Sequence, residues 1–467
     1  MEQDMHFIEN RTFDEIKVGD SAEITRTLQR QDIELFAIMS GDVNPAHLDD
    51  EYAKSDPFRK VIAHGMWGGA LISAVLGTEL PGPGTIYLNQ SLKFLRPVGV
   101  GDTVVVRVKV REKISDNNRV ILDCECVNHS GEIVITGEAE VIAPVEKVRR
   151  PRTLLPIVHL HERGARHRQL IESASKLEPI RTAVVHPCDA VSLAGALDAA
   201  YERLITPILV GPKSKILKAA AAVGRSLDNV TIVDTPHSHA AAERAVLLAR
   251  EAKVDALMKG ALHTDELMAA IIDKASGLRT ERRMSHVFVL DAPHYPKPLF
   301  ITDAAINIAP DLEVKRDIIQ NAIDLAKALG VQIPKVAILS AVETINPKIP
   351  STVDAATLCK MTDRGQIVGG LLDGPLAFDN AISKEAAHTK GISSPVAGDA
   401  DILVAPDLEA GNMLAKQLIY LAGADAAGIV LGARVPVVLT SRADGVLARL
   451  ASCALAQLLV RRAAPRS

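Results

Sequence analysis

Aromatic side chains are scarce in this chain: Phe, Tyr and Trp make up 3% of its 467 residues, with a single tryptophan. So few rings leave no stacking platform for single-stranded nucleic acid. Charge of either sign is not in excess, since 53 Lys and Arg face 57 Asp and Glu for a formal net charge of −4, so there is no polyanion-binding signature. The five cysteines (Cys124, Cys126, Cys188, Cys359 and Cys453) are scattered. Cys124 and Cys126 alternate along a strand-like run, which is not metal-ligand spacing, so no metal is expected and the thiols read as reduced and structural. No apolar run approaches an uninterrupted membrane span, so no membrane partner is expected. The opening MEQDMHFIENRTFDE is polar and acidic rather than a secretory leader, which predicts a cytoplasmic protein. Neither GxGxxG after a first strand nor GxxxxGK[ST] occurs, so the dinucleotide and P-loop fingerprints are missing. What is plentiful is Ala, Val, Leu and Ile, in a chain 48% hydrophobic and long enough for roughly two to four compact units.

The most informative stretch is SGDVNPAHLD, Ser40 to Asp49, which sets Asp42 and His47 five residues apart around Asn44-Pro45. An acid and a histidine converging on one small volume can hold a water between them, one removing a proton while the other delivers one. Asp32 to Met39 reads as a helix with Asp32 as N-cap, Ile33, Phe36 and Ala37 on one face, and Gly41 as its stop. Pro45 then forces a turn, so Asp42 and His47 are expected in loops held by a rigid flank. The apolar run HGMWGGALISAVLG, His64 to Gly77, has the length of a buried helix and is bounded by Pro81, Gly82, Pro83 and Gly84. Its small residues Gly68, Gly69 and Ala70 would admit another backbone. Strand-like runs follow at Thr85–Leu95, Thr103–Arg111, Arg119–Asn128 and Glu132–Val141, which predicts one buried helix wrapped by an antiparallel sheet.

With SGDVNPAHLD, IAHGM, LPGPGTIYLNQSLKFLRPV and the VGDTV turn in place, residues 12–142 resemble the (R)-specific enoyl-CoA hydratase, or MaoC-like, family with its α+β hot-dog fold. The resemblance implies that Asp42 and His47 are the hydratase pair. It implies that Gly65 offers its N–H to the thioester carbonyl at the start of the central helix, and that Asn44 and Ser73 are further substrate-site positions. It also implies at least a dimer.

Composition changes at residues 144–156, where VEKVRRPRTLL is basic and proline-bearing and reads as an exposed linker with Arg149, Arg150 and Arg152 solvated. Beyond it, short apolar strands (Arg181–Val185, Thr206–Val210, Val230–Val233, Ala256–Met258, His286–Leu290) alternate with helical stretches such as Ala190–Leu204 and His237–Ala252. A second series runs Lys335–Ser340, Gly369–Asp373, Ile402–Ala405 and Val435–Leu439. This pattern predicts α/β architecture with parallel sheets, in which ligands sit at strand C-termini.

Three loops stand out: MKGALHTDEL (Met258–Leu267), whose amides could face an anion, the segment Pro406–Asn412 between a strand and a helix, and VVLTSRAD (Val437–Asp444). A guanidinium beside hydroxyls at a strand tip suits phosphate and an oxyanion. Together with ITDAAINIAPD (Ile301–Asp311), DGPLAFDNAIS (Asp373–Ser383) and SPVAGDADILVAPDLEAGN (Ser394–Asn412), these loops resemble the phosphate acetyl/butyryltransferase family over about residues 160–460. The resemblance implies an isocitrate/isopropylmalate-dehydrogenase-like pair of subdomains with the active cleft between them. The implied reaction is acyl-CoA plus phosphate giving acyl phosphate plus CoA, with no covalent enzyme intermediate. Arg442 would hold the phosphate or the tetrahedral oxyanion with Ser441 donating to the same centre. Lys259, Arg283, Asp303, Asn307 and Asn412 would bind substrate, while Arg279 and Arg282 read as a solvated basic turn. Two departures point toward the butyryltransferases: the acid expected after the Ser-Arg pair falls at Ala448, leaving Asp444 as its stand-in, and the helix after Lys259 lacks an arginine.

The expected organisation is therefore a hot-dog hydratase domain at 1–143, a linker at 144–158, and a transferase domain at 159–467. The latter divides into subdomain 1 (159–303 plus 437–467) and subdomain 2 (304–436). The expected protein is a bifunctional, homo-oligomeric acyl-CoA enzyme with CoA thioesters and phosphate as substrates, no permanently bound cofactor and no nucleic-acid partner. Two alternatives stay open. Only the transferase is active and the hot-dog domain binds acyl-CoA or sets oligomeric state, or the chain is a non-catalytic CoA-binding scaffold.

Overall fold

The computed structural model describes residues 7–153, 155, 158, 160, 162–439 and 444–462. They form two compact units, Met1–Leu160 and His161–Ser467.

The first unit runs β1 (Phe7–Glu9), β2 (Ser21–Thr27), α1 (Arg30–Ser40), α2 (Pro45–Leu48), α3 (Asp50–Ser55) and α4 (Gly65–Thr78). It continues with β3 (Ile86–Phe94), β4 (Thr103–Ile114), β5 (Arg119–Asn128), β6 (Ile133–Ile142) and β7 (Arg149–Pro151). Five of the strands form one antiparallel sheet in the order β2-β4-β5-β6-β3. Its buried face is set by period-two alternation: Val104, Val106, Val108 and Val110 on β4, and Val120, Leu122, Cys124 and Cys126 on β5. These pack with Trp67, Ile72, Val75 and Leu76 of α4 into one core. Each such side chain contributes roughly 1.5–3 kcal/mol of burial. A Cβ at Gly68 would lie 2.3 Å from Ile135 Cδ1, so a larger residue would force the tip of that side chain to move. The neighbour at Gly68 is thus a side chain; the close backbone approach is at Gly137, where a Cβ would meet Ser91 O at 1.9 Å.

Three local expectations change. Asp32 is not the N-cap of α1: the helix starts earlier, capped at Gln29, and Asp32 accepts from the Gln29 amide at 2.8 Å from inside the first turn. Pro45 begins α2 rather than a turn, because its fixed φ and missing N–H suit a first helical position, so His47 is helical. Residues 149–151 of the expected linker pair as β7 with β1, and Arg149 lies over the Phe7 ring at 4.5 Å.

The second unit contains β8 (Ile180–Val185), β9 (Ile205–Gly211), β10 (Thr231–Asp234), β11 (Ala256–Lys259), β12 (Ser285–Asp291) and β13 (Leu299–Thr302). After these come β14 (Lys335–Leu339), β15 (Leu371–Leu376), β16 (Ile402–Val404), β17 (Asp425–Leu431) and β18 (Val437–Val438). They make one continuous sheet in the order β10-β9-β8-β11-β18-β17-β12-β13-β16-β14-β15. Two parallel blocks form, β10-β9-β8-β11-β18 and β13-β16-β14-β15, and they match the two expected strand series only in part: β18, expected in the second series, lies in the first block, and β12, expected in the first, lies in neither. The sheet is not parallel throughout, however. β12 is antiparallel to both β17 and β13, and β17 is antiparallel to β18, so the two blocks run in opposite directions. Helices including Ala190–Tyr201, Ser238–Arg250 and Val446–Arg462 cover the sheet. Among the described residues no helix is long and apolar enough to cross a membrane.

Candidate active sites

In the first unit, α1 ends at Gly41, whose φ of 75° permits the left-handed turn that closes the helix on Ala37 O at 2.8 Å. The chain then folds back on itself. The Asp42 amide donates to Ser40 Oγ, Asp42 Oδ1 accepts from the Asn44 amide, and Asn44 Oδ1 accepts from the Ala46 amide, at 3.2, 3.2 and 3.1 Å. Asn44 therefore caps α2. His47 Nδ1 lies 2.9 Å from Ile62 O. A backbone carbonyl only accepts, so Nδ1 carries the proton and Nε2 keeps a lone pair.

His64 enters this group too; the IAHGM stretch that contains it helped carry the resemblance, but gave His64 itself no role. It is 3% exposed, its Nε2 lies 3.0 Å from Asp42 O, and its ring sits 4.0 Å from that of His47, centroid to centroid. A carboxylate oxygen of Asp42 and one ring nitrogen each of His47 and His64 all lie within 4.8 Å of one another. Among the described residues this is the group whose donors could share a metal ion. The spacing also suits a bridging water, since two hydrogen bonds of about 2.8 Å meeting at a tetrahedral oxygen span about 4.6 Å.

His47 and His64 line a cavity of about 260 Å³ with Gly65, Trp67, Phe94 and Ile135. Gly65 opens α4, where the first two amides have no carbonyl one turn back to bond, while Trp67 N donates to His64 O at 3.0 Å. A Cβ there would press on the Phe94 ring at 3.0 Å. The N-terminal end of a 14-residue helix thus faces the cavity, and its dipole favours negative charge. Ser73 is exposed and does not line the cavity. Cys126 does line it, but burial pushes its thiol up to about 12, so it is a protonated apolar wall rather than a nucleophile.

In the second unit, parallel strands β8, β9, β10, β11 and β18 end on one edge of the sheet, where α/β folds bind ligands. Lys259 closes β11, and its Nζ donates to Gly260 O and Leu262 O at 3.3 Å. Met258 is level with Val438, so Lys259 lies beside the chain leading out of β18. Ser441 and Arg442 come next in that chain and lie outside the described residues. Asp444 accepts at its backbone oxygen from Arg449 Nη1 at 2.8 Å, and Ala448 occupies the first turn of the last helix.

The same edge holds His186, another residue that sequence reasoning missed. It follows β8 with φ 55°, a left-handed conformation that costs a non-glycine residue strain. Burial, then the charge of Lys215, pulls its imidazole below the ordinary range, and its Nδ1 has no partner among the described residues. Gly260 makes room for it: a Cβ there would lie 2.8 Å from the His186 carbonyl. The one signal in the sequence is a histidine placed directly at a strand end before Pro187.

Asp303 and Asn307 bond each other, and Asn412 bonds the same loop. Asp303 is 3% exposed. Its carboxylate accepts from the amides of His286, Ala305, Ile306 and Asn307 and from Asn307 Nδ2. Asn307 Nδ2 also donates to Met284 O, and Asn412 Nδ2 to Ala304 O. These side chains tie the loop after β13. Arg283 is exposed, and its backbone meets Asp317 and Asn321.

A family profile described as phosphate acetyl/butaryl transferase matches residues 238–456, and a MaoC like domain profile matches residues 14–123. The phosphate acetyltransferase of Rhizobium meliloti is 64% identical over 298 residues, covering 64% of this chain and 94% of that one. The chain belongs to the phosphate acetyl/butyryltransferase family. Within it, the phosphate butyryltransferase of Clostridium acetobutylicum is 43% identical over 291 residues, 62% of this chain and 97% of its own length. The branched-chain phosphotransacylase of Enterococcus faecalis V583 superposes with a TM-score of 0.54 at 31% identity, covering 61% of this chain and 99% of that one. This family member carries, in addition, a MaoC-like domain ahead of its transferase unit.

Proposed function

We propose that the second unit moves an acyl group between CoA and inorganic phosphate, and that the first hydrates enoyl-CoA to (R)-3-hydroxyacyl-CoA. The transferase half is supported by identity that runs over nearly the whole length of a phosphate acetyltransferase. A phosphate oxygen attacks the thioester carbonyl, the C–S bond breaks, and the departing thiolate takes a proton. Arg442 and Ser441 hold the phosphate and the negative oxygen, and Asp444 handles the thiol proton. Lys259, level with the chain leading to Ser441, adds positive charge. Identity of 64% to an acetyltransferase against 43% to a butyryltransferase favours acetyl as the acyl group. This outweighs the two local departures at Ala448 and after Lys259.

The hydratase half rests on one observation: the Asp42 carboxylate and a His47 ring nitrogen lie within 4.8 Å of each other, beside a cavity headed by the N-terminus of α4. A water held by both groups attacks C3 as the pair takes one of its protons, and one proton is returned to C2 on the same face. The thioester oxygen, negative in between, is held by the Gly65 N–H. Attack on a single face gives a single enantiomer, and the resemblance of residues 12–142 to (R)-specific hydratases makes the (R) alcohol the expected one. The test is hydration of crotonyl-CoA by the purified chain, with chiral analysis of the product; a predominantly (S) product sinks the reading.

A second reading, in which the first unit serves assembly, is favoured by the edge strand β3. Ile86, Tyr87, Leu88 and Phe94 are all exposed on it, and a bare apolar edge invites a second copy of the chain. Assembly and catalysis are compatible. Leu88→Lys should shift the oligomer toward smaller species in sedimentation, while Asp42→Asn should not.

A further inference from the structure

His64 is the first residue ahead of α4, yet its side chain makes no capping hydrogen bond to that helix. Its single donor goes instead to Asp42 O, 22 residues back in the chain. Among the described residues this is the one side-chain or backbone bond that ties Asp42 to a distant part of the chain; its others go to Ser40 and Asn44. The ring face of His64 lies on His47 at 4.0 Å with a 36° tilt, and Phe36 backs it at 4.9 Å. His47 is held at its edge by Ile62 O, two residues before His64. The stretch is pinned in turn, Ala63 N to Val98 O at 2.8 Å and Ile62 bridging Gly99. One short rigid segment thus grips both members of the pair.

Because Asp42 O can only accept, His64 Nε2 carries the proton and Nδ1 is bare, buried and without a partner. A side chain kept only to start α4 would put an acceptor on the free amides, as Ser or Asp does. The His64 side chain makes no such bond, only its carbonyl accepting from Trp67 N at 3.0 Å, and it keeps an unsatisfied buried nitrogen besides.

We infer that His64 is a positioning residue for hydration: its Nε2–H fixes the backbone that carries Asp42, and its ring face fixes the plane of His47. This rests on the hydratase reading. A misplacement of about 1 Å between reacting groups costs on the order of 100-fold in rate, so losing either hold should appear in kcat more than in KM.

The experiment compares His64→Phe, which keeps a ring but loses the donor, with His64→Gln, whose amide nitrogen reaches about as far as Nε2 and restores the bond to Asp42. The expected result with crotonyl-CoA is a fall in kcat of about 10–100-fold for Phe with KM within about twofold, and recovery to within about tenfold of wild type for Gln. Two results overturn the inference: wild-type kcat in His64→Phe, or Phe and Gln falling alike together with higher KM and lower melting temperature. Asp42→Asn and His47→Ala run alongside. If neither slows hydration, the hydratase reading fails and takes this inference with it. If both do and His64→Phe does not, the positioning role alone fails.

Discussion

Replacing Asp303 by alanine separates two roles for the most heavily bonded carboxylate in the second unit. Its two oxygens accept from four backbone amides and one side-chain amide, at 3.3, 3.0 and 3.1 Å on Oδ1 and 3.0 Å from the Asn307 amide on Oδ2. Counted singly at about 1.5–3 kcal/mol per charged bond, five would sum to about 7.5–15 kcal/mol, as much as the entire stability of a typical domain, so a plain sum is wrong. The bonds form one network and do not add. The His286 amide is stranded inside the sheet, while the loop amides of residues 305–307 gain access to water. A loss of about 3–5 kcal/mol is therefore expected, the range for removing one partner from a buried charged group. At about 2–4 °C per kcal/mol for a unit of this size, melting should fall by about 6–20 °C. Asp303→Asn should lose roughly half as much, since its NH₂ would face donors where Oδ2 faced them. Calorimetry of the full chain and steady-state kinetics with acetyl-CoA and phosphate measure both sides. If Asp303→Ala melted like wild type but needed far more CoA substrate, the carboxylate would be a substrate ligand and the loop-tying account would be refuted.

Three further outcomes are expected. Arg442→Gln should lower phosphate-dependent kcat/KM by about 100–1000-fold, the loss typical of an oxyanion donor, and Arg442→Lys should recover only part of it because an ammonium lacks the bidentate fork; full activity in the Gln variant would place the phosphate elsewhere. Hydrogen bonds from Lys335, and after them Lys297, hold the Asp399 carboxyl at about 2, below its ordinary 3.8. A depressed carboxyl stabilises the fold above the unfolded value and loses that contribution as pH falls toward the folded one. The melting-temperature gap between wild type and Asp399→Asn should thus be constant from pH 7 to 5 and narrow below about pH 4; a gap independent of pH would contradict the pairing.

Much of the first unit was legible because only one face of its sheet is buried. Alternation such as Val104, Val106, Val108 against charged neighbours is then visible in the letters. β2 was not legible, since SAEITRT buries none of its residues fully. In the second unit the strands were legible but not their directions. Strands such as β12, covered on both faces, are continuous apolar runs, and antiparallel β12 reads the same as parallel β8. β13 and β17, four and seven residues long, were passed over inside long loops. The Asp42–His47 pair could be found because its members are close in sequence. His64 could not, because its partner is 22 residues away and its claim rests on a bond to a backbone oxygen. Asp303 and Asn307 stand in the ITDAAINIAPD stretch that carries the resemblance, but letters do not say whether a carboxylate faces a ligand or amides of its own chain.

The most direct test of the central claim, two acyl-CoA reactions on one chain, is a pair of assays on the same preparations of wild type, Asp42→Asn and His47→Ala. Crotonyl-CoA hydration should fall by about two to four orders of magnitude in each variant, while phosphate-dependent release of CoA from acetyl-CoA stays at the wild-type rate. Wild-type hydration in either variant, or no hydration by the wild-type chain at all, would contradict the account.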